Sequence, residues 1–122
     1  MTRKDFVESL NSIVPKPEVA QRMNFIYQCE VPIEIIKILS FYDSPEFFDE
    51  NESRTLYLEE VAEAEEKNDV PFKSEKLVPV VDLGNNDFIV YNANKKTWGI
   101  YNILDMIIFK ETDSFIDLFL NS

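Results

Sequence analysis

The chain has 122 residues, the size of one domain spanning 1–122, and its 45% apolar content, with ten Phe, five Tyr and one Trp, excludes global disorder. A net charge of −11 argues against nucleic acid and anionic membrane as direct partners, and no apolar run approaches the roughly 18 residues of a membrane span. A single cysteine, Cys29, excludes an internal disulfide and fits a reducing, cytoplasmic setting, where it reads as a small buried hydrophobe.

Met1-Thr2-Arg3-Lys4-Asp5 is charged and leads into an amphipathic helix, not into a signal-peptide apolar stretch. Thr2, with Asp5 three residues on, reads as a capping box. Phe6, Leu10 and Ile13 share one face before Pro15 stops the helix. Pro17, tolerated in a first turn, opens a second helix with the stripe Val19, Met23, Ile26 and Tyr27. Pro32 begins a short third helix with Ile35, Ile36 and Leu39 inward. From Tyr42 to Arg54 the periodicity dissolves into polar and acidic residues around Pro45. A loop is predicted there, anchored by Phe47 and Phe48. Residues 55–57 read as a short strand and 58–67 as a short helix with Leu58, Val61 and Ala62 inward; a second loop covers 68–74.

The period then changes. Residues 77–82 are apolar and β-branched, and Gly84-Asn85-Asn86 is a turn cluster. Further strands are predicted over 88–91, 97–102 and 106–110, with a turn over 92–96. Ser114, with Asp117 in the capping-box position, opens a last helix burying Phe115, Ile116, Phe119 and Leu120. The order predicts an α+β fold: an antiparallel meander covered by N-terminal helices and a C-terminal helix. Phe88 and Val90 alternate with Ile89 and Tyr91, so either helices cover both sheet faces or one face is left for a partner.

Charge is unevenly placed. Residues 43–69 hold eleven acids against Arg54 and Lys67, a net −9, and the rest of the chain nets −2. Such a run reads either as a solvated surface or as a docking surface for a basic protein. The candidate partner-binding residues are Asp43, Glu46, Asp49, Glu50 and Glu52 in the loop, with Glu59, Glu60, Glu63 and Glu66 on the short helix.

Little else in the chain marks out chemistry. There is no histidine, which removes the commonest general base and the Ser–His and Cys–His systems. The only glycines, Gly84 and Gly99, form no phosphate-binding loop. No catalytic residue and no cofactor is expected. Residues 49–60 resemble a calcium loop of the EF-hand type, with Asp49, Asn51 and Ser53 at the first ligand positions, Leu56 at the apolar position and Glu60 at the bidentate one. Arg54 occupies the sharp-turn position that requires glycine, so no metal site is assigned. Asp82-Leu83-Gly84-Asn85-Asn86-Asp87 reads as a hairpin in preference to a metal loop. Trp98 reads as a core or partner-facing strand residue.

Val31-Pro32-Ile33-Glu34-Ile35-Ile36-Lys37-Ile38-Leu39 resembles the Pro-initiated helix of the SUKH superfamily, the Smi/Knr-like group. Leu77-Val78-Pro79-Val80-Val81-Asp82-Leu83-Gly84 with Asn86-Asp87-Phe88-Ile89-Val90-Tyr91 resembles that family's central hairpin, and Asp113-Ser114-Phe115-Ile116-Asp117-Leu118-Phe119 its last helix. The sequence departs from the family in having Tyr42-Asp43 where Asn-Gly is common, and Asn85-Asn86 where the hairpin turn carries more glycine. The resemblance implies a protein-binding scaffold, and among bacterial members an immunity protein that neutralises a cognate secreted toxin such as a nuclease or deaminase. The alternatives are an intracellular regulatory scaffold without a toxin partner and a carboxylate-based metal-binding protein.

Overall fold

A computed structural model describes every residue except Tyr42 and the side chain of Asn51, so the predicted loop's first residue lies outside the described residues. The chain opens with α1 (Arg3–Leu10), α2 (Pro17–Tyr27) and α3 (Ile33–Phe41). The Thr2 hydroxyl accepts from the Asp5 backbone N–H at 3.0 Å, forming the predicted N-cap. α1 ends at Leu10, before the proline that was expected to stop it. Asn11 takes the C-cap, and Ile13 is buried from outside the helix. Pro17 occupies the first turn of α2, where its missing N–H has no intrahelical partner to lose. Val19, Met23 and Tyr27 are buried along α2, and Ile35, Ile36, Ile38 and Leu39 along α3.

The segment expected to be a loop contains a hairpin. β1 (Phe47–Phe48), a 3-10 turn (Asp49–Asn51) and β2 (Ser53–Thr55) form one margin of the sheet. Of the two predicted anchors, Phe48 is buried and Phe47 is exposed, because neighbouring strand residues point to opposite faces. β2 ends where the predicted strand began, although the Leu56 N–H still donates to the Val80 carbonyl at 2.9 Å. α4 (Leu58–Asn68) buries Val61 and Ala64, leaving Leu58 and Ala62 half-buried. The second predicted loop includes the one-turn helix α5 (Phe72–Glu75), which buries Phe72.

β3 (Leu77–Gly84), β4 (Asp87–Asn92), β5 (Thr97–Asn102) and β6 (Ile107–Thr112) complete the predicted meander, and all six strands pair antiparallel in chain order. Asn85 and Asn86, at φ 53° and 67°, make the left-handed two-residue turn between β3 and β4. The next two turns share a different device. The Asn92 and Asn102 side chains each accept from two following backbone N–H groups, and Lys96 and Met106 close the turns at positive φ. Met106 therefore belongs to a turn, and β6 begins one residue later than predicted. α6 (Phe115–Asn121) is capped by the Ser114 hydroxyl, which accepts from the Asp117 N–H at 3.1 Å. It buries Phe115, Leu118 and Phe119; Ile116 and Leu120, expected inward, are exposed. The i, i+3, i+4 set fixes the inward stripe and turns both neighbours out.

Helices cover both faces of the central sheet. Trp98 packs on Phe115 of α6 at 4.8 Å, while Tyr101, on the opposite face, packs on Phe72 of α5 at 5.6 Å. Phe6, Phe48 and Phe119 meet at 5.1–5.4 Å on the α6 side, joining α1 and β1 to the C-terminal helix. Of the two sequence-based options for the sheet, the covered one holds: Phe88, Ile89, Val90 and Tyr91 are all buried. No helix among the described residues is long and apolar enough to cross a membrane.

Candidate protein-docking surface

The acidic stretch folds into the β1–β2 hairpin, which pairs with β3 at one margin of the sheet, and α4, which packs against β3. Five of the nine candidate acids have basic partners within the chain. Asp49 accepts from the Arg3 guanidinium at 2.5 and 2.9 Å and from the Ser53 hydroxyl at 3.2 Å, and the Arg3 bonds hold its carboxyl below the usual range. Glu59 pairs with both terminal nitrogens of Arg22 at 2.7 and 3.1 Å, which lowers its carboxyl and raises the guanidinium. Glu60 grips Arg54 with two 2.8 Å bonds and also accepts the Tyr57 N–H at 3.3 Å, closing back on the first turn of α4. Glu63 faces Lys67 at 3.5 Å, and Glu66 faces Lys73 at 3.1 Å.

The other four differ. Asp43, Glu46, Glu50 and Glu52 make no ion pair among the described residues. Asp43, Glu50 and Glu52 are exposed and Glu46 is half-buried. Glu46 is fixed against β2 by its own backbone. Its N–H donates to the Thr55 hydroxyl, and its carbonyl accepts from the Thr55 N–H, both at 2.9 Å. Asp49 and Glu50 reverse the chain with φ of 51° and 58°. A left-handed Glu costs on the order of 1 kcal/mol, which the surrounding hairpin must offset. The docking candidate is therefore the β1–β2 turn and the link before β1, whose four carboxylates make no ion pair among the described residues, narrower than the nine-residue set.

The calcium-like spacing takes another role. Asp49 turns to Arg3 and Glu60 to Arg54, Arg54 itself lies in β2, and the Asn51 side chain lies outside the described residues. Among the described residues no group of three or more potential acidic or sulfur ligands converges. Cys29 is half-buried, and burial pushes its thiol up against the opposing pull of Lys76. That direction disfavours the thiolate.

Two features escaped the sequence reading. Arg3 ties α1 to Asp49, to the Phe119 carbonyl and to the Ser122 hydroxyl, with its guanidinium 5.0 Å from the Phe119 ring centre. Contacts across more than a hundred residues have no local signal. A groove of about 840 Å³ also runs between α2, α3 and the link before α2, lined by Pro15, Pro17, Ala20, Phe25, Val31 and Ile33. Phe25 is 82% exposed there, and its place beside the Met23, Ile26, Tyr27 stripe was a readable sign.

These features define an α+β protein built on a six-stranded antiparallel meander, with an acidic hairpin at one margin. Compared with protein-family models, curated proteins and solved structures, the chain matches none.

Proposed function

We propose that this chain is a cytoplasmic protein-binding module of the bacterial immunity type, which neutralises a cognate secreted toxin by docking on its basic surface. The observation that carries the reading is that Asp43 and Glu46, before β1, and Glu50 and Glu52, in the turn between β1 and β2, make no ion pair among the described residues, while the acids of α4 named above have bases beside them. The SUKH resemblance of residues 31–39, 77–91 and 113–119 supports the class. A nuclease or similar enzyme presents lysines and arginines to phosphate, and fixed carboxylates can occupy the same positive field. Glu59, Glu60, Glu63 and Glu66, each with its own countercharge, contribute less attraction.

Affinity capture from the producing bacterium, with mass spectrometric identification and growth rescue on co-expression, tests this. The expected captive is a secreted, cation-rich toxin whose toxicity the chain suppresses. Replacing the four hairpin acids together (Asp43→Lys, Glu46→Lys, Glu50→Lys, Glu52→Lys) is expected to abolish capture and rescue. Full rescue by that variant rejects the hairpin as the docking face, and a captive without toxicity rejects the immunity role.

A further inference from the structure

A meander returns every second turn to the same end of its sheet. The links between β1 and β2 (49–52), β3 and β4 (85–86), and β5 and β6 (103–106) therefore share one rim. Contacts between neighbours fix their order. The Glu52 carbonyl lies against Gly84, where a Cβ would come within 3.1 Å of it, and the Ile103 N–H donates to the Asn86 carbonyl at 2.9 Å. Paired strands lie about 4.8 Å apart, so the rim is roughly 25 Å wide, the breadth of an ordinary protein-docking patch. Residues 49–52, 84–87 and 103–106 hold five acids and neither lysine nor arginine. Asp49 is tied to Arg3, and Asp87 accepts from the Asn102 side chain at 2.9 Å. Glu50, Glu52 and Asp105 are exposed and make no ion pair among the described residues.

The β5–β6 turn has a counterpart at the opposite end of the sheet. Asn92 and Asn102 open turns of one design: each side chain accepts from the backbone N–H groups two and three residues on, and Lys96 and Met106 close the turns at φ 58° and 57°. Their chemistry differs. The β4–β5 turn carries Asn94, Lys95 and Lys96 where the β5–β6 turn carries Leu104, Asp105 and Met106. Leu104 is 73% and Met106 48% exposed, and Ile107, next in the chain, is 54% exposed. A backbone that accepts asparagine and lysine at those two places does not require leucine and methionine there. Consecutive apolar exposure with a polar rim marks a contact surface, which a solitary exposed side chain does not.

We infer that this end of the sheet is one composite docking face, on which Leu104 and Met106 are the apolar anchors for the basic partner proposed above. The inference rests on that reading and carries its surface from the β1–β2 turn across to the β5–β6 turn. Charge selects the occupant. A second copy presenting the same face would set acids against acids, and nucleic acid or an anionic membrane is repelled. A protein with lysines and arginines around an apolar depression fits: its cations meet Glu50, Glu52 and Asp105, and the depression receives Leu104 and Met106. The carboxylates speed encounter and choose the sign of the partner, while burial of the two anchors slows dissociation. Methionine suits an anchor because its unbranched side chain adapts to an irregular pocket.

Calorimetry at low ionic strength with two peptides of equal length and charge, one alternating lysine with serine and one alternating lysine with leucine, tests the inference. Leu104→Asn with Met106→Asn removes both anchors without altering charge, and asparagine suits this turn, so the thermal midpoint is expected to stay at the wild-type value. Wild type is expected to bind the lysine–leucine peptide more tightly than the lysine–serine one. The asparagine pair is expected to weaken lysine–leucine binding about tenfold or more and to leave lysine–serine binding unchanged. Asp105→Lys is expected to weaken both, and Phe25→Asn, in the α2–α3 groove, to weaken neither. Unchanged lysine–leucine affinity in the asparagine pair, or an equal loss in Phe25→Asn, overturns the inference and leaves the acidic turn standing as a docking face. If the four-lysine variant binds both peptides as wild type does, the acidic face itself fails and this extension fails with it. A wild-type dimer in sedimentation velocity that the asparagine pair dissolves makes a second copy the occupant and overturns the inference as well.

Discussion

Arg3 and Asp49 meet through hydrogen bonds across 46 residues, with only 13% of the arginine side chain exposed. The Asp49 carboxyl is held below its ordinary value of 3.8 by those bonds. Its contribution to stability is therefore complete above that value and disappears as pH falls through the lower, folded pKa. Since the carboxylate is nearly half exposed, the contribution is about 1 kcal/mol or less. Asp49→Asn is expected to lower the urea midpoint at neutral pH, and the gap from wild type to close by about pH 2, below the ordinary carboxylate range. Tyr27 gives the opposite sign. Its hydroxyl donates to the Val61 carbonyl at 2.8 Å, and burial pushes its ionisation well above the ordinary 10.0. Stability from that phenol is whole below its ordinary value and is lost as pH rises above it. Tyr27→Phe is expected to cost about 1 kcal/mol at neutral pH. The variant is also expected to fall less steeply than wild type above pH 10, in thermal melts followed by circular dichroism.

Elements are joined by similar pairings, and Arg54 with Glu60 is the clearest. The two parallel 2.8 Å bonds couple β2 to the first turn of α4, with 25% and 15% of the side chains exposed. Lysine cannot reproduce a two-pronged contact with a carboxylate. Arg54→Lys is expected to destabilise by roughly 1 to 2 kcal/mol, read as a shift in urea midpoint with an unchanged slope. The pairing also shows what was legible in the sequence. Thr2, Pro17, Ser114 and the turn asparagines act on residues two to four places away, so their signals are local and the elements they begin or end were readable. β1 and β2, of two and three residues, have too little length to display a period, and Thr55 finds its partner only at Val81. Composition announced the acidic segment, though as a loop, and which of its acids gain an ion pair depended on contacts such as Arg22 reaching Glu59 from 37 residues away.

Across the whole molecule, charge and apolar exposure are separated along the sheet, with acids that make no ion pair among the described residues near β1 and β2, and exposed Ile107 and Phe109 on β6 at the other margin. Attraction between the hairpin and a basic ligand is screened over the Debye length, about 10 Å at 0.1 M salt. An oligolysine peptide titrated calorimetrically is expected to bind wild type at low ionic strength, to bind the four-lysine hairpin variant more weakly, and to lose affinity for both as salt rises. If oligolysine affinity changes neither with salt nor with the four-lysine variant, these carboxylates generate no field that a basic protein could follow, and the docking role loses its basis.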